Sequence, residues 1–233
     1  MLKIALDGPS GAGKSTLAKE IAKKLSIIYL DTGALYRTIG LFARESGLEV
    51  AENGQLTPES AERICAILPE ISLDVRLIDG SQHVFLNSVD VGERIRTPEM
   101  SIFASAVSRI PAVRSFLLDV QRDFARKNDV IMDGRDIGTV VLPDADVKIF
   151  LTASDEVRAK RRLDELTAKG IVTAYEDVLS DMKKRDKNDR TRKIAPAVPA
   201  KDAIILDNSL LNFDETVAEA LRIIKKNEKE HSH

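Results

Sequence analysis

The chain has 233 residues, 43% of them hydrophobic, which suits one globular domain with a packed core and room for an insert. A formal net charge of −2 offers no basic field to nucleic acid, and no apolar run approaches the ~20 residues of a membrane span. One cysteine, Cys65, excludes an intrachain disulfide and fits a reducing cytoplasm; its apolar helical surroundings predict a small buried core residue.

The chain opens on an apolar run, 2–6, that reads as a strand, so no signal peptide is expected ahead of it. Gly8, Pro9, Ser10, Gly11, Ala12, Gly13, Lys14, Ser15 and Thr16 follow, and from Gly8 to Ser15 they fit the pattern G-x-x-x-x-G-K-[ST]. A helix-forming run, 17–25, completes the strand, glycine turn and helix N-terminus that a phosphate-binding loop needs. Glycines let backbone N–H groups close around a phosphate chain, and the helix dipole adds partial positive charge. Lys14 is expected on the β/γ-phosphates and the Ser15 hydroxyl on Mg²⁺.

Short apolar strands recur at 27–30, 130–132, 147–151 and 203–206, separated by helices at 35–45, 111–126, 154–169, 175–186 and 214–226. Continuous apolar strands with crossover helices predict an α/β fold with about five parallel strands covered on both faces. Residues 71–77 break the rhythm, because apolar and polar residues alternate with period two and Asp79 and Gly80 follow as a hairpin turn. A small antiparallel sheet is therefore expected as an insert between roughly 60 and 95. The polar tail, 225–233, carries His231 and His233 and is expected to fray; with His83 far away, the histidines make no metal site.

Asp31, Thr32, Gly33 and Arg37 stand at the carboxyl end of the second strand, where open α/β sheets bind ligands, although Asp31 or Thr32 equally suits an N-cap. After the third strand come Asp133, Gly134, Arg135 and Asp136. Charges in such a place are costly unless they meet a ligand or form an ion pair. Arg135 suits a phosphate through its planar fork, and Asp133 suits a role behind Mg²⁺ or beside Lys14. Arg185, Asp189 and Arg192 share one face if their helix continues, as ligands or as a solvated face with i,i+4 pairs. Arg158, Arg161 and Arg162 form a second basic helix start with the same two readings. Phosphoryl transfer needs positioning and charge cancellation, so a phosphate acceptor explains the surplus of arginines better than a neutral hydroxyl does.

The segments GPSGAGKST, DTGALYR, IRTPE, DGRDIGTVVLPDAD, KRDKNDRTR and AP-x-VPA run from Gly8 to Ala200 and together resemble the bacterial cytidylate kinase family. The resemblance implies a single P-loop kinase domain over 1–233, with a nucleoside-monophosphate-binding insert at about 38–100 and a short lid at about 154–172. It implies transfer of the ATP γ-phosphate to CMP or dCMP with Mg²⁺, by a cytoplasmic enzyme with no nucleic-acid or membrane partner. Nothing in the sequence requires a dimer, and a monomer is expected. By position, Thr32, Ser105, Arg114 and Asp136 match the groups around cytosine. Arg37, Arg135 and Arg192 match the acceptor-phosphate positions, and Arg185 and Asp189 the ribose-side pair. Arg158 and Arg162 fall in the lid over ATP, and with Lys14, Arg135 and Arg192 make the expected catalytic set. A carboxylate at Asp136 accepts from the cytosine amine and opposes the uracil carbonyl. Gly92, Met100, Ser101 and Thr32 depart from residues frequent in the family, yet none removes a charge from the expected site. A P-loop kinase for a sugar or shikimate-like acid is the competing enzyme. A GTP-dependent switch would need N-K-x-D and D-x-x-G, and neither is present. Closure around both nucleotides is expected, because water near the transferring phosphoryl group would hydrolyse ATP.

Overall fold

The computed structural model describes residues 1–231. In chain order its elements are β1 (Lys3–Asp7), α1 (Lys14–Leu25), β2 (Ile28–Asp31), α2 (Thr32–Glu45), α3 (Pro58–Ile67), β3 (Leu73–Ile78), β4 (Ser81–Leu86), β5 (Val89–Asp90), α4 (Pro98–Val107) and α5 (Pro111–Ala125). Then follow β6 (Val130–Gly134), β7 (Val147–Thr152), α6 (Asp155–Ala168), α7 (Tyr175–Thr191), β8 (Ile204–Asp207) and α8 (Phe213–His231). The main sheet has five strands in the order β2-β6-β1-β7-β8, and β1 lies parallel to both β6 and β7. The chain divides into two compact units, one built from Met1–Tyr29 and Lys127–His233, the other from Leu30–Arg126. The second extends beyond 38–100 at both ends, because α2 packs with α4, α5 and β4 inside it.

In the first unit a continuous apolar strand has no polar face to show to water, so it must be covered on both sides. Ile4, Leu6, Ile149 and Leu151 are buried against α1 and α8. On α1 the buried residues Leu17, Ala18, Ile21 and Ala22 fall on one face at helical spacing. Val217, Ala220, Ile223 and Ile224 do the same on α8. Each buried leucine or isoleucine contributes about 1.5–3 kcal/mol. The helix α8 continues to His231, beyond the expected end at 226, so the anticipated frayed tail is helical as far as the described residues go; His233 lies outside them.

The first unit also holds a buried carboxylate. Asp7, at the end of β1, is 4% exposed and accepts from the backbone N–H groups of Ile137 (2.8 Å) and Gly138 (2.7 Å). Burial raises its pKa to about 6, against the opposing pull of those two hydrogen bonds. The bonds fasten the turn Ile137–Val141 to the strand that leads into the glycine loop.

The second unit carries the expected meander, with strand order β3-β4-β5 and antiparallel pairing. Asp79 and Gly80 both have positive φ, as a two-residue hairpin turn requires. Val84 and Leu86 point into a core with Leu35, Ile39, Ile64, Val107 and Leu117. The helical surroundings expected of Cys65 are α3, whereas α4 was not anticipated. Each begins at a threonine whose side chain accepts from the third residue on, with proline next and glutamate after it: Thr57, Pro58, Glu59 and Thr97, Pro98, Glu99. Cys65 corrects the expectation of burial. It is exposed, because α3 turns Ser60 and Ile64 inward and Cys65 outward, with its thiol donating to the Ala61 carbonyl at 3.2 Å.

Two expected outcomes follow from this packing. At Gly40, on α2, an added Cβ would sit 2.9 Å from Phe103 Cβ and 3.0 Å from the Ala104 nitrogen on α4. Gly40→Ala gains about 1 kcal/mol in helix propensity. The clash outweighs this, and denaturant unfolding should show a net loss of about 1–3 kcal/mol; a gain would mean that α2 and α4 have room to part. Asp7 binds its proton more tightly folded than unfolded, so its contribution to stability is full below about pH 4 and lost as pH rises through about 6. The unfolding free energy of Asp7→Asn relative to the native chain should therefore climb across that window by up to about 3 kcal/mol. A difference that stays flat with pH would show that Asp7 does not titrate there.

Candidate active site

The glycine loop leaves β1 pressed against the neighbouring strand. Gly8 has φ +148°, and a Cβ there would lie 2.0 Å from the Leu151 carbonyl oxygen of β7, so no other residue fits. Lys14 opens α1, is 6% exposed, and donates from Nζ to the Pro9 carbonyl at 2.7 Å. Burial pushes its pKa well down, the positive charge of Arg135 adds to this, and Asp133 and Asp7 oppose it. Phosphate oxygens beside Lys14 would favour its charged form. The Ser15 hydroxyl donates to Asp133 Oδ2 at 2.8 Å, and the Tyr29 hydroxyl donates to Asp133 Oδ1 at 2.9 Å. Asp133 thus stands behind the Ser15 hydroxyl and in the field of Lys14. Tyr29 was not foreseen; within an apolar strand, its one polar atom was the available signal.

The turn after β6 meets the end of α7. Arg135 Nε donates to Asp189 Oδ2 at 3.1 Å, and Arg192 Nη2 lies 3.5 Å from Asp136 Oδ1. Asp136 is 5% exposed, so this turn is no surface loop with a private ion pair. The helix α7 runs past its expected end at 186 to Thr191 but stops before Arg192. Arg192 takes an extended conformation and donates from Nε to the Ala195 carbonyl, so it does not share the helical face of Arg185 and Asp189. Arg185 is exposed on α7. Pro9, Arg135, Thr152, Asp186, Asp189 and Arg190 help to line a cavity of about 540 Å³ in this unit, within the usual size of a small-molecule site.

The three arginines of α6 diverge. Arg158 is 4% exposed and donates to the Ser10 carbonyl (2.8 Å), Asp186 Oδ2 (2.5 Å), the Ala153 carbonyl (3.0 Å) and Asp155. Arg161 donates to Oδ1 and to the backbone carbonyl of Asn208, at 3.1 and 3.0 Å. Arg162 lies at the surface beside Glu165 at 3.0 Å.

In the second unit the capping reading of the Asp31 to Arg37 stretch holds, and Arg37 pairs with the cap. Asp31 Oδ1 caps α2 by accepting from Ala34 N–H at 2.9 Å, while Oδ2 accepts from Arg37 Nη2 at 2.8 Å. Arg37 Nε is buried with no hydrogen-bond partner. Thr32, the first residue of α2, is buried. Gln82, from the meander, brackets the Asp31 backbone, accepting from its N–H at 2.6 Å and donating to its carbonyl at 3.3 Å; a polar residue within a strand gave little hint of this. Ser105 sits half-buried on α4, and Arg114 Nη1 on α5 donates to the Ser108 carbonyl at 3.3 Å. The Arg114 guanidinium stands 5.7 Å from the centroid of the Tyr36 ring.

These features can be set beside known proteins. A solved structure of an uncharacterized protein from Eubacterium ventriosum superposes with a TM-score of 0.51, covering 97% of this chain and 99% of its own, at 13% identity, and so shares the fold. A protein named cytidylate kinase from Caldicellulosiruptor saccharolyticus is 47% identical over 225 residues, 97% of this chain and 96% of its own length. Another of that name, from Carboxydothermus hydrogenoformans, is 47% identical over 229 residues, 97% of this chain and 99% of its own. The cytidylate kinase family model matches residues 4–226. Glycine loop, paired arginines and meander all fall within that match, and the chain belongs to the cytidylate kinase family.

Proposed function

We propose that the protein transfers the γ-phosphate of ATP to CMP or dCMP, giving ADP and CDP or dCDP. The observation that carries the acceptor class is Arg37. One of its nitrogens is held by Asp31 while Nε is buried without an acceptor. A buried unpaired donor costs about 1–3 kcal/mol, and a phosphate oxygen would relieve it. A neutral sugar brings no anion to meet it; a shikimate-like acid brings one carboxylate, and the surplus of arginines together with the meander disfavours that competing kinase.

Lys14 serves the donor phosphates, with the backbone of Gly8 to Thr16 around them. For the acceptor, family membership points to Thr32, Arg37, Ser105, Arg114, Arg135, Asp136, Arg185, Asp189 and Arg192. Arg135 and Arg192, paired with Asp189 and Asp136 in the free protein, exchange part of that pairing for phosphate oxygens. Asp136 accepts from the cytosine amine, with Arg114 and the hydroxyls on the cytosine acceptors. In this reading 38–100 belongs to acceptor binding and 154–172 lies over ATP, with Arg162 toward the nucleotide. A hydroxyl with a carboxylate behind it suits Mg²⁺, which keeps most of its waters and takes substrate phosphate oxygens. Ser15 with Asp133 would hold it, and the ion would neutralise charge between the phosphates. A cytoplasmic monomer accords with nucleotide substrates and a single cysteine.

A coupled assay of ATP with CMP, dCMP, UMP, AMP and GMP tests this, and the highest kcat/KM should fall to CMP or dCMP. Preference for AMP or GMP would overturn the assignment of the base. Lys14→Ala should lower kcat by about 100-fold or more while circular dichroism shows the fold retained. Near-normal turnover would remove Lys14 from the donor site. Asp136→Ala should lower kcat/KM for CMP about tenfold more than for UMP. An equal loss for both would mean that Asp136 does not read the base.

A further inference from the structure

A loop that grips phosphate with N–H groups must turn its carbonyls the other way. A trans peptide holds its C=O and the following N–H on opposite sides, and the described residues contain no cis peptide bond. The Ser10 carbonyl accepts from Arg158 Nη1 at 2.8 Å, which directs the Gly11 N–H away from α6. The Ala12 carbonyl accepts from Asn208 Nδ2 at 3.2 Å, which does the same for the Gly13 N–H.

Both holders are themselves fixed. Arg158 spends its other donors on Ala153, Asp155 and Asp186, and Asp186 Oδ1 accepts in turn from the Ser10 N–H at 3.3 Å. Ser10 is thus held at both its backbone polar groups. Asn208 is 5% exposed and its N–H donates to the Thr152 carbonyl at 2.9 Å. Arg161 has only donors, so the Asn208 amide must present its oxygen there and its nitrogen to Ala12. Met182 and Arg158 crowd the loop from one side, because a Cβ at Gly11 would lie 2.8 Å from Met182 Cε and 3.2 Å from the Arg158 carbonyl oxygen.

We propose that Arg158, with Asp186, and Asn208, with Arg161, are positioning residues for the donor phosphates. They hold the glycine loop open with the Gly11 and Gly13 N–H groups turned toward ATP, and Arg158 does not itself touch the transferring phosphoryl group. The proposal rests on the kinase reading and assigns Arg162 as the arginine of α6 that faces nucleotide.

The test measures ATP and CMP dissociation constants separately by titration calorimetry, each without the other substrate, on Asn208→Ala and Arg158→Lys. Lysine keeps the charge but cannot bridge Ser10, Ala153 and Asp186 in one plane. Both variants should weaken ATP about tenfold or more, with CMP within about twofold of the native value. Should Arg158→Lys fail to fold, Asn208→Ala, which removes one amide, decides alone. Unchanged ATP affinity in folded Asn208→Ala, or equal loss for ATP and CMP, overturns the proposal. A fall in kcat for Arg158→Lys with ATP affinity intact assigns Arg158 to the chemistry and overturns it too. Native protein that phosphorylates CMP while its variants bind ATP normally refutes the positioning role alone; native protein that binds no ATP refutes the kinase reading with it.

Discussion

Peptide groups that are to meet a phosphate cannot also be spent on one another. Everything near the end of β1 answers that constraint. The strand ends at Asp7, whose carboxylate is occupied with Ile137 and Gly138, and Gly8 then turns against Leu151 where a side chain would collide. Lys14, Arg158 and Asn208 take up the carbonyls of Pro9, Ser10 and Ala12. In water such carbonyls would be solvated without cost; here three side chains from separate elements replace that water and impose a direction as well.

A second consequence is the distribution of charge. Taking an arginine or a carboxylate out of water costs several kcal/mol unless it finds a partner, so a site built for two anionic nucleotides must be balanced while empty. Arg135 with Asp189 and Arg192 with Asp136 supply that balance. Lys14 lies deep in the protein beside Arg135, so burial disfavours its charged form and incoming negative charge would offset that. The pairs are loose enough, at 3.1 and 3.5 Å, that phosphate can compete for the arginines.

The strands of the main sheet were legible because each is short, continuous and apolar, and the glycine loop because its residue types have one geometric use. The meander was legible from its period of two and the Asp79 and Gly80 turn. The helix α4 and the bounds of α3 were not legible, although Thr-Pro-Glu stands at the head of each, a capping signal weaker than an apolar period. Cys65 misled because apolar neighbours along the chain say nothing of which face of a helix is turned inward. The polar contacts were the least readable. Asn208 lies in a stretch that looks like an ordinary turn, and only the fold brings it to Ala12, far away in sequence. The difference between Arg158, sealed in the interior, and Arg162, at the surface, likewise depends on the facing helix and not on their own spacing.

The strand that leads into the glycine loop pairs Lys3 with Val130 and Ile4 with Val147. During synthesis it therefore leaves the ribosome with no neighbour to bond to. At usual elongation rates the wait is on the order of ten seconds, while the stretch Leu30–Arg126 emerges complete and can collapse on its own core. A segment made before both of its partners is among the last to be consolidated, and its apolar residues are open to misplaced pairing for that interval. A nascent chain of this architecture should be most dependent on chaperones before the codons for β6 and β7 have been read.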